Sequence, residues 1–114
     1  MQREKYKYAG FELKGRNLGI IGLGAIGGLV ANSAVDLGMK VYGYDPYISI
    51  SHAWGLSKKI TRLTTLDQIF EKSDVITIHA PLKDDTRSMI NKEAISKMKD
   101  GVVLINFARD ALVV

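Results

Sequence analysis

At 114 residues, 46% hydrophobic and 25% charged, the chain has room for one soluble domain with a modest core, and hardly for two. The absence of cysteine excludes a disulfide framework and any cysteine-based zinc or redox site, and it fits a reducing, cytoplasmic compartment; no metal site is expected. The net charge of +4 is scattered in small groups such as Arg3, Lys5, Lys7 and Lys58, Lys59, Arg62, which read as solvated surface and not as a nucleic-acid interface.

Residues 1–16 are polar and aromatic without a clear period and read as a lead-in segment. Met1 to Lys14 lacks the apolar core of a signal peptide. Asn17 to Gly22 reads as a buried strand centred on Ile20 and Ile21. From Ala25 the period changes: Ile26, Leu29, Val30, Ser33, Ala34 and Leu37 recur at helical spacing, and Gly38 is placed to end that helix. The glycine-rich apolar run up to Asn32 and Ser33 falls well short of the roughly 20 residues a membrane span needs.

Met39 to Tyr44 is a second strand, closed by Asp45-Pro46. Tyr47 to Leu56 reads as a loop or short helix, and Lys59 to Leu63 as a short edge strand. Thr65 followed by Gln68 is a capping-box pattern, and Leu66, Ile69 and Phe70 give the ensuing helix an apolar face. Asp74 to His79 is a β-branched strand. Asn91 can cap a helix to Met98, with Ile90 and Ile95 spaced as a hydrophobic staple. Asp100-Gly101 turns the chain into a last strand, Val102 to Phe107.

The strands are continuous apolar runs separated by helical segments. That is the pattern of strands covered on both faces, so the expected architecture is α/β with a parallel sheet.

The stretch Gly19 to Gly28, "GIIGLGAIGG", spends five of ten positions on glycine. Gly22, Gly24 and Gly27 spell G-x-G-x-x-G after a strand and at the opening of a helix. Asp45 ends the next strand, eighteen residues after Gly27. Each position has a physical task. Gly22 permits a tight turn, Gly24 lets a pyrophosphate approach, and Gly27 lets the helix pack closely on the strand. The free N–H groups and dipole of the helix start face the anion. A dinucleotide is the ligand this arrangement suits best. S-adenosylmethionine and FAD use similar turns, and a purely structural glycine turn is the plain alternative. Asp45 can accept the adenosine ribose hydroxyls and would repel a 2′-phosphate, which favours NAD over NADP.

"ELKGRNLGIIGLGAIGGLVANSAVDLGMKVYGYDP", "SDVITIHAPLKDDTRSMIN" and "MKDGVVLINFAR" together resemble the cofactor domain of the D-2-hydroxyacid dehydrogenase family, from about Glu12 to Arg109. Within it the blocks are most similar to members that oxidise 3-phosphoglycerate in serine synthesis. The resemblance implies a Rossmann-type doubly wound sheet of order 3-2-1-4-5 over residues 1–114, with NAD as cofactor. It implies backbone contacts from Ala25 and Ile26 to the pyrophosphate, and Asp45 on the ribose. Tyr44 and Pro46 would border the adenine, and His79, Ala80 and Pro81 would wall the adenosine. Thr86 would approach the nicotinamide ribose, and Asn106, Phe107 and Ala108 the nicotinamide. Arg109 matches the catalytic arginine that holds the substrate carboxylate, a task suited to a guanidinium fork.

His79 resembles a strand-end residue beside the cofactor and not the acid–base histidine, and His52 is expected at the surface. The family usually has glycine after the arginine where this chain has Asp110, and valine-aspartate where it has Val113 and Val114. The family's glutamate–histidine pair would follow Arg109, and its substrate domain is built from both chain ends, so the expectation is a piece of a longer enzyme. That enzyme would act on a small anionic 2-hydroxy acid, with no nucleic-acid or membrane partner, as a homodimer or larger. A glyoxylate or hydroxypyruvate reductase and a non-catalytic NAD-sensing corepressor-like module are the alternatives.

Overall fold

The computed structural model describes residues 14–79 and 91–106. Their strands are β1 (Asn17–Ile21), β2 (Lys40–Tyr44), β3 (Thr61–Arg62), β4 (Val75–Ile78) and β5 (Val103–Asn106). Their helices are α1 (Ala25–Asp36), α2 (Ile50–Trp54), α3 (Leu66–Lys72) and α4 (Lys92–Ser96). The strands are parallel throughout and lie in the order β3-β2-β1-β4-β5, the doubly wound Rossmann-type arrangement. Among the described residues no helix is long and apolar enough to cross a membrane.

The alternation of side chains along β1 builds two cores. Leu18 and Ile20 pack with Ala31 and Ala34 of α1, Val41 of β2, and Ile60. Ile21 packs on the other face with Ile69 and Phe70 of α3, Ile76 and Ile78 of β4, and Ala94 of α4. Strands sandwiched in this way have no polar face to show, which is why they read as unbroken apolar runs.

The caps form as local sequence dictates. The Thr65 hydroxyl accepts from the Gln68 N–H at 3.3 Å, and Gln68 Oε1 accepts from the Thr65 N–H at 3.3 Å. Asn91 accepts from the Ala94 N–H at 2.9 Å, and Ser49 caps α2. Gly38, at φ +89°, ends α1 in the left-handed region where glycine is unstrained. The segment from Tyr47 to Leu56 resolves into a loop and the short α2, and the edge strand shrinks to two residues.

Two expectations are corrected. The helix after Asn91 ends at Ser96 and not at Met98, because the Lys97 N–H turns back to the Ala94 carbonyl in a tighter final turn. Ile95 of the expected staple is half exposed, and Ile90 lies outside the described residues. Of the α1 residues at helical spacing, Ala34 is buried and Val30 packs on the core, but the larger Ile26, Leu29 and Leu37 do not mark the buried face. Ile26 and Leu29 are each 67% exposed and Leu37 is 60% exposed, while Gly27, Ala31 and Ala34 are buried. The helix lies so close to β1 and β2 that small side chains occupy the contact.

At the opposite edge of the sheet from the strand ends, Asp74 ties three strands. Its carboxylate accepts from the Asn17 N–H at 2.9 Å and from Lys99 Nζ at 3.1 Å. Its backbone carbonyl accepts from the Val103 N–H. Burial alone pushes this carboxyl up, but the Asn17 N–H, Lys99 and Arg16 together bring it below the ordinary carboxylate value. A carboxyl depressed in the folded state contributes stability above its unfolded pKa and loses it as pH falls through the folded one. Asp74→Ala is therefore expected to lower unfolding stability by about 1–2 kcal/mol at neutral pH, for the loss of hydrogen bonds to a charged group. The gap between variant and wild type should close in urea titrations run progressively below about pH 4.

Candidate functional site

The turn between β1 and α1 is held from below by the end of β2. Gly22 sits at φ +98° and donates its N–H to the Tyr44 carbonyl at 2.9 Å. The Leu23 side chain is fully buried over Gly43, where a Cβ would stand 2.8 Å from a Leu23 methyl. The Leu23 N–H donates to Asp45 Oδ2 at 2.8 Å. Gly27 packs against the Gly22 carbonyl so closely that a Cβ there would collide with it.

Gly24 is the N-cap residue of α1. It carries no side chain to satisfy the orphan N–H groups, and the first turn has no acidic residue. A Cβ built on Gly24 would meet no atom of the described residues within 4 Å, so among them the space beside the helix start is left open. The positive end of a 12-residue helix without a side-chain cap among the described residues is an arrangement suited to an anion.

Parallel register brings the remaining strand ends to the same edge. Ile21 pairs with Tyr44 on one side and Ile78 on the other, and Ile78 pairs with Asn106. Gly22, Asp45 and His79 therefore leave the sheet together, beside Asn106 at the end of β5. Between β1 and β4 the winding direction reverses, and ligands of such sheets bind in the crevice outside that switch point. The Asp45 carboxylate is fixed by two backbone donors, Leu23 N–H on Oδ2 and Tyr47 N–H on Oδ1, both at 2.8 Å. A carboxylate offers about four lone-pair sites, so each oxygen can still accept one hydroxyl.

A model of the D-isomer specific 2-hydroxyacid dehydrogenase NAD binding domain matches residues 1–114. The chain belongs to that family. It is 43% identical over 107 residues to the D-3-phosphoglycerate dehydrogenase of Bacillus subtilis, covering 93% of this chain and 20% of that protein. It is 44% identical over 110 residues to the hydroxypyruvate reductase of Thermotoga maritima, covering 93% of this chain and 33% of that protein. The apo D-lactate dehydrogenase of Escherichia coli superposes with a TM-score of 0.80 at 31% identity, over 90% of this chain and 32% of the other. The chain thus spans between a fifth and a third of the length of these relatives.

The residues present fit the NAD of this dehydrogenase family: an open glycine N-cap for the pyrophosphate and a preset carboxylate for a ribose. Ala25 and Ile26 stand exposed in the first turn of α1. Tyr44 is half-buried and Pro46 exposed beside Asp45. His79 lies under Gly27, and its Nε2 is 2.9 Å from the Thr77 hydroxyl. Burial lowers the His79 pKa from the ordinary imidazole value. Asn106 ends β5. Ala80, Pro81, Thr86, Phe107, Ala108 and Arg109, with Asp110, lie outside the described residues. His52 is exposed on α2.

Two residues that shape the dehydrogenase turn escaped the sequence reading, Leu23 and Gly43. The signal for Gly43 was present: an isolated glycine inside "KVYGY" marks a close approach to a strand.

Proposed function

We propose that this chain is the cofactor domain of an NAD-dependent oxidoreductase that converts a small anionic D-2-hydroxy acid, with 3-phosphoglycerate as substrate. The carrying observation is the open glycine N-cap of α1 beside the fixed Asp45 carboxylate. Relatives named D-3-phosphoglycerate dehydrogenase at 43% and 41% identity support the narrower substrate. Hydroxypyruvate reductases at 43% and 44% support a second reading, reduction of hydroxypyruvate in the reverse chemical sense.

NAD, when bound, supplies the hydride acceptor. The chain's own groups bind and orient it: N–H groups at the start of α1 hold the pyrophosphate, and Asp45 holds the adenosine ribose. Arg109 grips the substrate carboxylate, and Tyr44, Pro46, His79, Ala80, Pro81, Thr86, Asn106, Phe107 and Ala108 border the cofactor. The complete enzyme works in the cytoplasm as a homodimer or larger assembly.

Calorimetry tests the cofactor half. NAD is expected to bind about 10- to 100-fold more tightly than NADP, the worth of one charge-assisted hydrogen bond. Equal affinity would remove Asp45 from the ribose site. The substrate half is read on the same sample. The 114-residue chain is expected to bind NAD and form no NADH from 3-phosphoglycerate, because the resemblance puts the acid–base pair beyond Val114. The complete enzyme is expected to form NADH with 3-phosphoglycerate. Preference of that enzyme for hydroxypyruvate with NADH would select the second reading.

A further inference from the structure

The Asp45 carboxylate reaches across the end of β2 to a backbone N–H of the glycine turn, and this contact does not involve any ligand. We propose that Asp45 is a positioning residue for the phosphate-binding turn as well as a ribose acceptor. The inference rests on the dinucleotide reading of this site.

Three contacts from consecutive residues at and just past the end of β2 hold the turn. Gly43 leaves the space into which the Leu23 side chain sinks. The Tyr44 carbonyl accepts the Gly22 N–H at 2.9 Å. Asp45 Oδ2 accepts the Leu23 N–H at 2.8 Å. The first two fix where the turn begins. The third fixes the Gly22–Leu23 peptide, one residue ahead of Gly24, the N-cap of α1. The direction of that peptide sets the course of the chain into the helix and so how the following N–H groups face the anion.

Asp45 is itself not free to swing, because Oδ1 accepts the Tyr47 N–H at 2.8 Å. A carboxylate is an acceptor at both oxygens, so it satisfies two N–H donors at once. An asparagine has one acceptor oxygen and must turn an NH2 group toward one of the two donors. Asp45→Asn, though nearly isosteric, therefore unbalances the clamp.

The test separates the two roles with a ligand lacking the ribose hydroxyls. Wild type and Asp45→Asn are titrated with ADP and with 2′,3′-dideoxy-ADP. If Asp45 serves the ribose alone, the variant binds dideoxy-ADP at least as tightly as wild type does, since a negative charge near an anionic ligand has been removed. The clamp predicts the opposite sign: dideoxy-ADP affinity falls at least about tenfold in the variant, roughly the loss of one net hydrogen bond. Unchanged or tighter binding overturns the proposal.

The ligand-free amide spectrum supplies a second reading. The Leu23 amide proton is expected to move upfield in Asp45→Asn, as its acceptor loses the negative charge. A Leu23 amide indifferent to the change also overturns the proposal. If the Leu23 amide responds but wild type binds neither ADP nor NAD, the dinucleotide reading fails and takes the positioning role with it. If ADP and NAD bind normally and only the dideoxy-ADP result fails, the positioning role alone is lost.

Discussion

Gly27→Ala is expected to lower the stability of the chain by about 3 kcal/mol, the upper end of what overpacking usually costs. In a solvent-exposed helix the same change would help, because alanine is the better helix former by about 1 kcal/mol. Here the added Cβ meets the Gly22 carbonyl, a backbone atom that cannot rotate away. The helix must lift from β1, and the buried small face of Gly27, Ala31 and Ala34 loses its contact with the sheet. The steric term is the larger, so the sign is destabilising. Urea denaturation followed by circular dichroism measures it, and a midpoint equal to wild type would show that α1 sits farther from β1 than the structure places it. Since the same shift moves the α1 N-terminus, NAD affinity should fall in whatever fraction stays folded.

Gly24→Val is expected to do the reverse: the fold survives and NAD binding falls at least about 100-fold. Gly24 has φ −73°, open to any residue, and its Cβ would meet no atom of the described residues. The folding cost is that of a poor N-cap, about 1 kcal/mol or less. The branched side chain would instead fill the space in front of the N–H groups at the helix start. Losing two charge-assisted hydrogen bonds to an anion costs about 3 kcal/mol or more, which is the expected factor. Thermal unfolding and NAD calorimetry on one preparation check both halves. A folded variant that binds NAD like wild type would place the dinucleotide elsewhere. Gly24 and Gly27, three residues apart, thus separate function from stability: one faces outward into open space, the other inward onto a carbonyl.

Features that depend on neighbours in the chain were legible in the sequence. The Thr65–Gln68 capping box and the Asn91 cap form because donor and acceptor lie within one helical turn. Gly38 ends α1 because the backbone there needs a left-handed residue. The apolar runs of β1, β4 and β5 declare strands covered on both faces, and glycine spacing with Asp45 marks the turn and its acidic partner. These are local rules, so 114 residues of text suffice for them.

The distance between α1 and the sheet is not a local quantity: Gly27 signalled a close approach, and tertiary structure decided which other residues of α1 share the contact. The helical period ran through Ile26, Leu29, Val30, Ser33, Ala34 and Leu37; the fold buries Ala34, half-buries Val30 and leaves Ile26, Leu29 and Leu37 exposed. The close approach selects the small residues Gly27, Ala31 and Ala34. The same crowding appears across the sheet, where the Ser73 hydroxyl is buried against Gly19 without a hydrogen-bond partner. It appears again where Leu23 settles over Gly43. Asp45 shows the limit most plainly: its position at the end of β2 could be read from the sequence. That its carboxylate also grips the Leu23 N–H could not, because parallel pairing of β1 with β2 is what brings residues 22 apart in the chain to 2.8 Å.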